Sequence, residues 1–260
     1  MSTVIPNTAG SLGDWLSLTP LLRQLAHPTV LAKNSPHTRS FATLYEGLAE
    51  VEFTDGPVED IAEMGRGPFS RRILNAYGLQ GNAIPSVVLT HEEIAWAKDF
   101  LKDYPNPVVF NNTCGGAQSD KPLNDISNWR RMPHEVAFRV IKDLLEQKMT
   151  PIRFGTKASR AIYDNYDEFE CVISIPDLPL RQVAACYSVI GEYWGTDTGD
   201  HHLMLAAGGI CHTFVPPTAW HYDHERHLYV GDSWGTEPVR EKYYHRQQPP
   251  PLEHLIDKLL

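Results

Sequence analysis

Short apolar runs of two to five residues alternate along the chain with stretches whose apolar residues recur every three or four positions, which predicts strands alternating with amphipathic helices. The first run, Val4-Ile5, leads into the small-residue turn Ala9-Gly10-Ser11-Leu12-Gly13-Asp14 and a helical stripe of Leu16, Leu18, Leu21, Leu22 and Leu25. Pro20, preceded by Thr19, predicts a helix that either starts late, with Thr19 as its cap, or is kinked there. Residues 29–32 and 50–53 read as further strands, with a helix over Phe41 to Leu48 between them. A polar Gly/Pro-bearing stretch from Asp55 to Gly67 precedes a short helix from Arg71 to Leu79. Thr90-His91-Glu92-Glu93 is a capping box that opens a helix through Ile94, Ala97, Phe100 and Leu101, stopped before Tyr104-Pro105-Asn106-Pro107.

The second half repeats the alternation. A strand at Val108 to Phe110 is followed by a long polar loop, Asn111 to Met132, and a helix from Pro133 whose stripe is Val136, Val140, Ile141, Leu144 and Leu145. Then come a strand at Pro151 to Phe154, another at Cys171 to Ile175, a helix at Leu180 to Cys186 and the apolar run Tyr187 to Gly191. A Gly-rich turn, a helix from Asp200 to Ala207 and a strand at Ile210 to Phe214 complete this half. After Pro249-Pro250-Pro251 a short amphipathic helix is predicted from Leu252, Leu255, Ile256, Leu259 and Leu260. This order implies a mainly parallel α/β fold with ligands at the carboxyl ends of the strands. No repeat of 20 to 50 residues recurs, which excludes solenoids and propellers.

Composition narrows the function class. The 260 residues carry 23 Lys and Arg against 32 Asp and Glu, a formal charge of −9, with a pI near 5.7. At 42% hydrophobic and 21% charged the chain has the balance of a globular protein, long enough for one large domain or two small ones. The acidic balance, without any Lys/Arg run, disfavours nucleic acid, although Arg130, Arg131 and Lys142 could form a local basic face. No apolar stretch is long enough for a bilayer and the first residues lack a secretory pattern, so a cytoplasmic protein is expected. Cys114, Cys171, Cys186 and Cys211 are widely spaced without C-x-x-C, which suits reduced, buried thiols.

Two turns carry candidate chemistry. Gly195-Thr196-Asp197-Thr198-Gly199-Asp200-His201-His202 feeds a helix, and its free N–H groups and positive dipole end suit a phosphate; pattern alone favours an ordinary N-cap built from Thr198 or Asp200. Asp14, at the start of an apolar helix beside small residues, reads either as a general base at a cleft or as a capping carboxylate. His221-x-Asp223-His224 looks like a metal cluster, but Pro216-Pro217 and the aromatic residues around it point to irregular backbone rather than a helical ligand pair. P-loop, classical dinucleotide-binding and α/β-hydrolase motifs are absent from the sequence.

In order along the chain these pieces resemble the ADP-heptose:lipopolysaccharide heptosyltransferases, glycosyltransferase family nine. Ala9-Gly10-Ser11-Leu12-Gly13-Asp14-Trp15-Leu16 with Thr19-Pro20-Leu21-Leu22-Arg23 is similar to the family's opening G-x-[IL]-G-D-x-[LV]…T-P-x-[LI]-[RK]. Asp197-Thr198-Gly199-Asp200-His201-His202-Leu203 is similar to its D-[ST]-G-P-x-H-[LI], and Arg130-Arg131-Met132-Pro133 stands at its [KR]-x-W-P element. Tyr77-Gly78-Leu79 and Leu89-Thr90-His91-Glu92-Glu93 share the cadence of the intervening segment.

The resemblance implies a GT-B-like fold of two Rossmann-like lobes facing a cleft, the N-terminal one reduced. On it, residues 1–90 form an acceptor-side lobe, 91–247 a lobe that binds a nucleotide sugar, and 248–260 a tail helix. It further implies an inverting, metal-independent transfer of sugar from a nucleotide-diphosphate sugar to a hydroxyl acceptor, without a cofactor and with closure of the lobes on the donor. By position, Asp14 is the base and Arg130 neutralises the departing diphosphate. Asn112, Thr113, Thr196, Asp197, Thr198, Gly199 and His202 line the donor site, and Ser11 and Gly13 lie on the acceptor side. Asp200 stands where the family has proline, adding negative charge beside the diphosphate site, and Met132 stands where it has tryptophan. The alternatives are a non-catalytic nucleotide-sugar binding module, a glycosyltransferase acting on nucleic-acid bases, and a metal-dependent hydrolase built on the His221 region.

Overall fold

The computed structural model describes residues 3–7, 11–58, 69–81, 85–112, 134–155, 171–196 and 198–214. The predicted tail helix, the His221 region, Cys114, and the polar loop after Asn112 therefore lie outside the described residues.

A small lobe opens the chain: β1 (Val4–Asn7), α1 (Leu12–Leu22), β2 (Thr29–Lys33), α2 (Pro36–Ala42) with a 3₁₀ turn (Thr43–Tyr45), β3 (Glu50–Thr54) and α3 (Phe69–Ala76). Its three strands are parallel in the order β1-β2-β3. The large lobe runs α4 (His91–Leu101), β4 (Pro107–Asn111), α5 (His134–Glu146), β5 (Thr150–Gly155), β6 (Ile173–Pro176), α6 (Leu180–Ile190), β7 (Glu192–Thr196), α7 (Gly199–Ala206) and β8 (Ile210–Phe214). Its sheet is all parallel, in the order β6-β5-β4-β7-β8.

The predicted alternation is thus observed, with four revisions. First, α1 starts at Leu12, behind a Ser11 cap rather than a Thr19 cap, and runs through Pro20. Pro20 has no N–H for the Leu16 carbonyl, a loss of about 3 kcal/mol in an unprepared helix. The hydroxyl of Thr19 donates to that same carbonyl at 2.8 Å, so the orphaned acceptor is satisfied without a break. Second, the helix between β2 and β3 lies earlier than Phe41 to Leu48, because Ser35 and Thr38 form a reciprocal cap with Pro36 in the first turn. Third, Tyr187 to Ile190 belong to α6; the strand begins at Glu192, after Gly191 takes the left-handed conformation (φ 73°) that ends the helix. Fourth, Cys171 is exposed, whereas Cys186 and Cys211 are buried as expected; burial pushes the Cys186 thiol up to about 12.

Two apolar cores follow. In the small lobe Ile5, Trp15, Leu18, Leu21, Leu22, Val30, Ala32 and Tyr45 pack together, with Trp15 stacked on Tyr45 at 5.0 Å and the Tyr45 hydroxyl donating to the Trp15 carbonyl at 2.6 Å. The second core, of Val109, Ile152, Phe154, Val183, Tyr187, Tyr193 and Leu203, also takes in Leu16 and Leu44 from the small lobe. Because α1 is buried on nearly every side, its faces serve both cores. Among the described residues no helix is long and apolar enough to cross a membrane.

Candidate active site

In a doubly wound sheet the crossover helices leave on opposite faces at the point where strand order reverses, and this opens a crevice at the carboxyl ends of the two diverging strands. In the large lobe that point lies between β4 and β7, which pair at Asn111 and Gly195. The crevice is therefore rimmed by Asn112 beyond β4 and by Thr196 at the end of β7, directly before α7. Both are buried, and among the described residues neither the Asn112 Oδ1 nor the Thr196 Oγ1 has a hydrogen-bond partner. Buried polar atoms are normally paired, so these two oxygens mark the crevice as a place where a polar ligand would complete the bonding.

Thr198 closes the turn by capping α7: its Oγ1 accepts from the amides of Asp200 (3.2 Å) and His201 (3.4 Å). Both meanings of the Thr198-Gly199 turn thus coexist. Thr198 is an N-cap, and the amides it takes are those of Asp200 and His201, not of Gly199, whose N–H stands at the positive end of the helix, the end suited to an anion. The Tyr193 hydroxyl supports the turn from below, donating to the Thr196 carbonyl at 2.7 Å and lying 3.2 Å from the Thr198 Oγ1.

Asp200 does not present its carboxylate to the anion site. It is turned inward, accepting from Asn111 Nδ2 at 2.5 Å and from the Tyr187 hydroxyl at 2.8 Å. Burial raises its carboxyl above the usual range, and the two hydrogen bonds pull it back down. Burial, with the Asp200 charge added, pushes the Tyr187 hydroxyl well up. Since the native state holds the Asp200 proton more tightly than the unfolded chain does, stability falls as pH rises from about 4 through the raised native value. Asp200→Asn is expected to remove that slope when unfolding free energies of the two proteins are compared across pH. Parallel profiles would show that Asp200 does not titrate in this way.

The small lobe brings the other motif to the same place. Ser11 caps α1, accepting from the Asp14 amide at 3.3 Å, and its hydroxyl donates to Asp14 Oδ2 at 2.6 Å. Asp14 is half-buried, at once a first-turn carboxylate and a group open to a ligand. The two motifs touch. A Cβ on Gly13 would stand 2.7 Å from the His202 ring, and one on Gly199 would stand 3.2 Å from Leu12. The two glycines therefore let the amino ends of α1 and α7 meet face to face.

Of the residues singled out in the sequence, Ser11, Gly13, Asp14, Asn112, Thr196, Thr198, Gly199 and His202 converge on this junction; Arg130, Thr113 and Asp197 lie outside the described residues. The supporting residues Asn111, Tyr187 and Tyr193 were not foreseen. Asn111 adjoins Asn112 at the end of a predicted strand, which could have drawn attention to it, but nothing local distinguishes the two tyrosines from ordinary core. Among the described residues no three His, Cys, Asp or Glu side chains are grouped to hold a metal. A broad concavity of about 1040 Å³ lies elsewhere, at the amino ends of β2 and β3, where Arg23, His27, Glu50 and Glu52 line it from exposed positions.

No family model and no curated protein matches the sequence. Solved structures do resemble it. One is a glycosyl transferase family 9 structure from Veillonella parvula DSM 2008, 14% identical with a TM-score of 0.62, covering 81% of this chain and 80% of that one. Another is the E. coli heptosyltransferase WaaC with ADP, 15% identical with a TM-score of 0.52, covering 84% of this chain and 88% of that one. Likeness at this level of identity speaks for architecture, and on that ground the chain has the two-lobed α/β fold of the GT-B-type glycosyltransferases.

Proposed function

We propose that this protein is an inverting glycosyltransferase that moves a sugar from a nucleotide-diphosphate sugar to a hydroxyl acceptor. One observation carries the reading: a half-buried carboxylate, Asp14, and an anion-suited helix end at Thr198-Gly199 come from lobes nearly two hundred residues apart in sequence and meet at the crevice. Leaving-group stabilisation and proton removal are the two tasks such a transfer requires.

The donor diphosphate lies across the amino end of α7, with the Gly199 N–H and the helix dipole facing its negative charge and the Thr196 hydroxyl donating to it, while the Asn112 Oδ1 accepts from a hydroxyl of the donor. Arg130 adds positive charge to the leaving group. Asp14 takes the acceptor's hydroxyl proton as the acceptor oxygen forms a bond to the anomeric carbon from the face opposite the diphosphate. The bond from that carbon to the phosphate oxygen breaks, and its electron pair leaves with the nucleoside diphosphate. In this reading the leaving group is neutralised by these protein groups and the transfer needs no metal. Ser11 holds one oxygen of Asp14 and leaves the other to the acceptor.

ADP is the first donor fragment to try, because the WaaC structure contains it. At a hundredfold excess over its Kd, the matching nucleotide should raise the unfolding midpoint by about 5 °C, with its sugar conjugate raising it further. A screen of ADP, GDP, UDP, CMP and dTDP in which none shifts the midpoint would leave Thr198 as a helix cap only. The three-stranded small lobe favours a second reading, a module that binds nucleotide sugar without transferring it. A midpoint shift without nucleoside diphosphate release would select that one.

A further inference from the structure

Arg181, in the first turn of α6, makes a set of contacts unlike those of any ordinary surface arginine. Its side chain is only 12% exposed. Nε and Nη2 donate to the two carboxylate oxygens of Glu93, each at 2.6 Å, in a bidentate pair. Nη2 also donates to the Val88 carbonyl at 3.0 Å, and Nη1 to the Thr43 carbonyl at 3.0 Å, while Glu46 stands 3.3 Å from Nε. Thr43 and Glu46 belong to the small lobe, Val88 to the connector, and Glu93 and Arg181 to the large lobe. A single guanidinium thus ties all three together, and Glu93, whose carboxyl the Arg181 bond holds below its usual range, is itself fixed by the α4 capping box with Thr90.

The rest of the junction is joined as well. The Ser86 amide donates to Thr19 of α1 at 3.0 Å, and Arg23 donates to the Ser86 hydroxyl at 2.5 Å. The neighbouring Val87 amide donates to the Ala206 carbonyl of α7 at 3.0 Å. Leu16 and Leu44 of the small lobe are fully buried in the core of the large one, and at the crevice Gly13 lies against His202 and Gly199 against Leu12. A hinge needs a stretch of backbone free to change its dihedrals and an interface free to part. Here Ser86, Val87 and Val88 of the connector are bonded to both lobes, and Leu16 and Leu44 bury apolar surface across the interface.

We propose that Arg181 is a positioning residue that fixes the small lobe on the large one, so that Asp14 and the Thr198-Gly199 turn are held face to face without a closing motion. The catalytic consequence rests on the glycosyl-transfer reading; the fixed geometry does not.

Two measurements on the full chain separate these. Spin labels on Ser40→Cys and Arg139→Cys, with Cys114→Ser and Cys171→Ser to clear the background, report the distance between the lobes. A single narrow distribution is expected, unchanged by excess ADP, and Arg181→Met should broaden it. Two populations in the parent protein, a shift on adding ADP, or an unaltered distribution in Arg181→Met would overturn the proposal. In steady-state kinetics, Arg181→Met should lower kcat by about tenfold to hundredfold, as small misplacements of reacting groups do, while leaving the KM for the donor within about twofold. Arg181→Lys, which keeps the charge without the fork, should fall between the two. An equal loss in KM and kcat, or none in either, would count against positioning. If Arg181→Met does not fold, Arg181→Lys and Glu93→Gln carry the same distance test. If the parent protein turns over no sugar nucleotide, the glycosyl-transfer reading fails while the distances still decide whether the lobes are fixed.

Discussion

Asp14→Asn is expected to reduce kcat by about 10²- to 10⁴-fold, the range associated with losing a general base, while the nucleotide-induced thermal shift stays as it is in the parent protein. The separation follows from where the residue sits. Asp14 is in the first turn of the small-lobe helix α1, whereas the crevice oxygens of Asn112 and Thr196 and the Gly199 N–H belong to the large lobe. The variant should also fold. Asparagine keeps an oxygen that can accept from the Ser11 hydroxyl, and losing a first-turn charge costs a helix about 0.3–1 kcal/mol. Release of nucleoside diphosphate is the readout, since water can serve as acceptor while the natural one is being sought, with mass spectrometry of the acceptor once it is found. Full turnover in Asp14→Asn would remove the residue from its proposed role.

The largest effect on stability is expected at Gly195. A Cβ there would lie 2.1 Å from the Asn111 carbonyl oxygen and 2.5 Å from the Tyr193 hydroxyl. The first contact is backbone of the neighbouring strand at its paired position, so the collision cannot be relieved by a rotamer change. Relief would require β4 and β7 to part at the switch point. Overpacking of this kind costs about 1–3 kcal/mol or more, and backbone against backbone places Gly195→Ala at the upper end, about 3 kcal/mol. The same substitution displaces the Tyr193 hydroxyl from the Thr196 carbonyl and from Thr198, so nucleotide binding should weaken with it. Urea unfolding measures the first effect and a nucleotide titration the second. Gly56→Ala is the control: the nearest atom to its Cβ would be the Thr54 hydroxyl at 3.4 Å, and its stability should stay within about 0.5 kcal/mol of the parent's. A Gly195→Ala protein as stable as Gly56→Ala would show that the strands yield at this point.

Taken together, these residues show why Asp200, which at first sight spoils an anion site, does not. Its side chain faces Asn111 and Tyr187 beneath the turn. The carboxylate serves as a strut for the amino end of α7. The burial that raises its protonation range is the cost of that strut.

What the sequence by itself determined was local and periodic. The Thr90-Glu93 capping box, the Thr198 cap, the strands other than β7 and their alternation with helices depend on interactions within a few residues, and those are written in the order of the side chains. Where a local rule met a competing partner, the sequence misled. Pro20 reads as a late helix start or a kink until Thr19 is seen supplying the missing hydrogen bond, and Tyr187 to Gly191 reads as an apolar run separate from the helix until Gly191 is seen ending it. Only the tertiary structure decided the rest. The strand order that puts the crevice between β4 and β7, the meeting of Gly13 with His202, the bond of Asp200 to Asn111 and the fork of Arg181 on Glu93 join residues 84 to 189 positions apart. Such contacts are selected by packing the two apolar faces of α1 and by pairing buried polar groups, both of which act through space and leave no period along the chain.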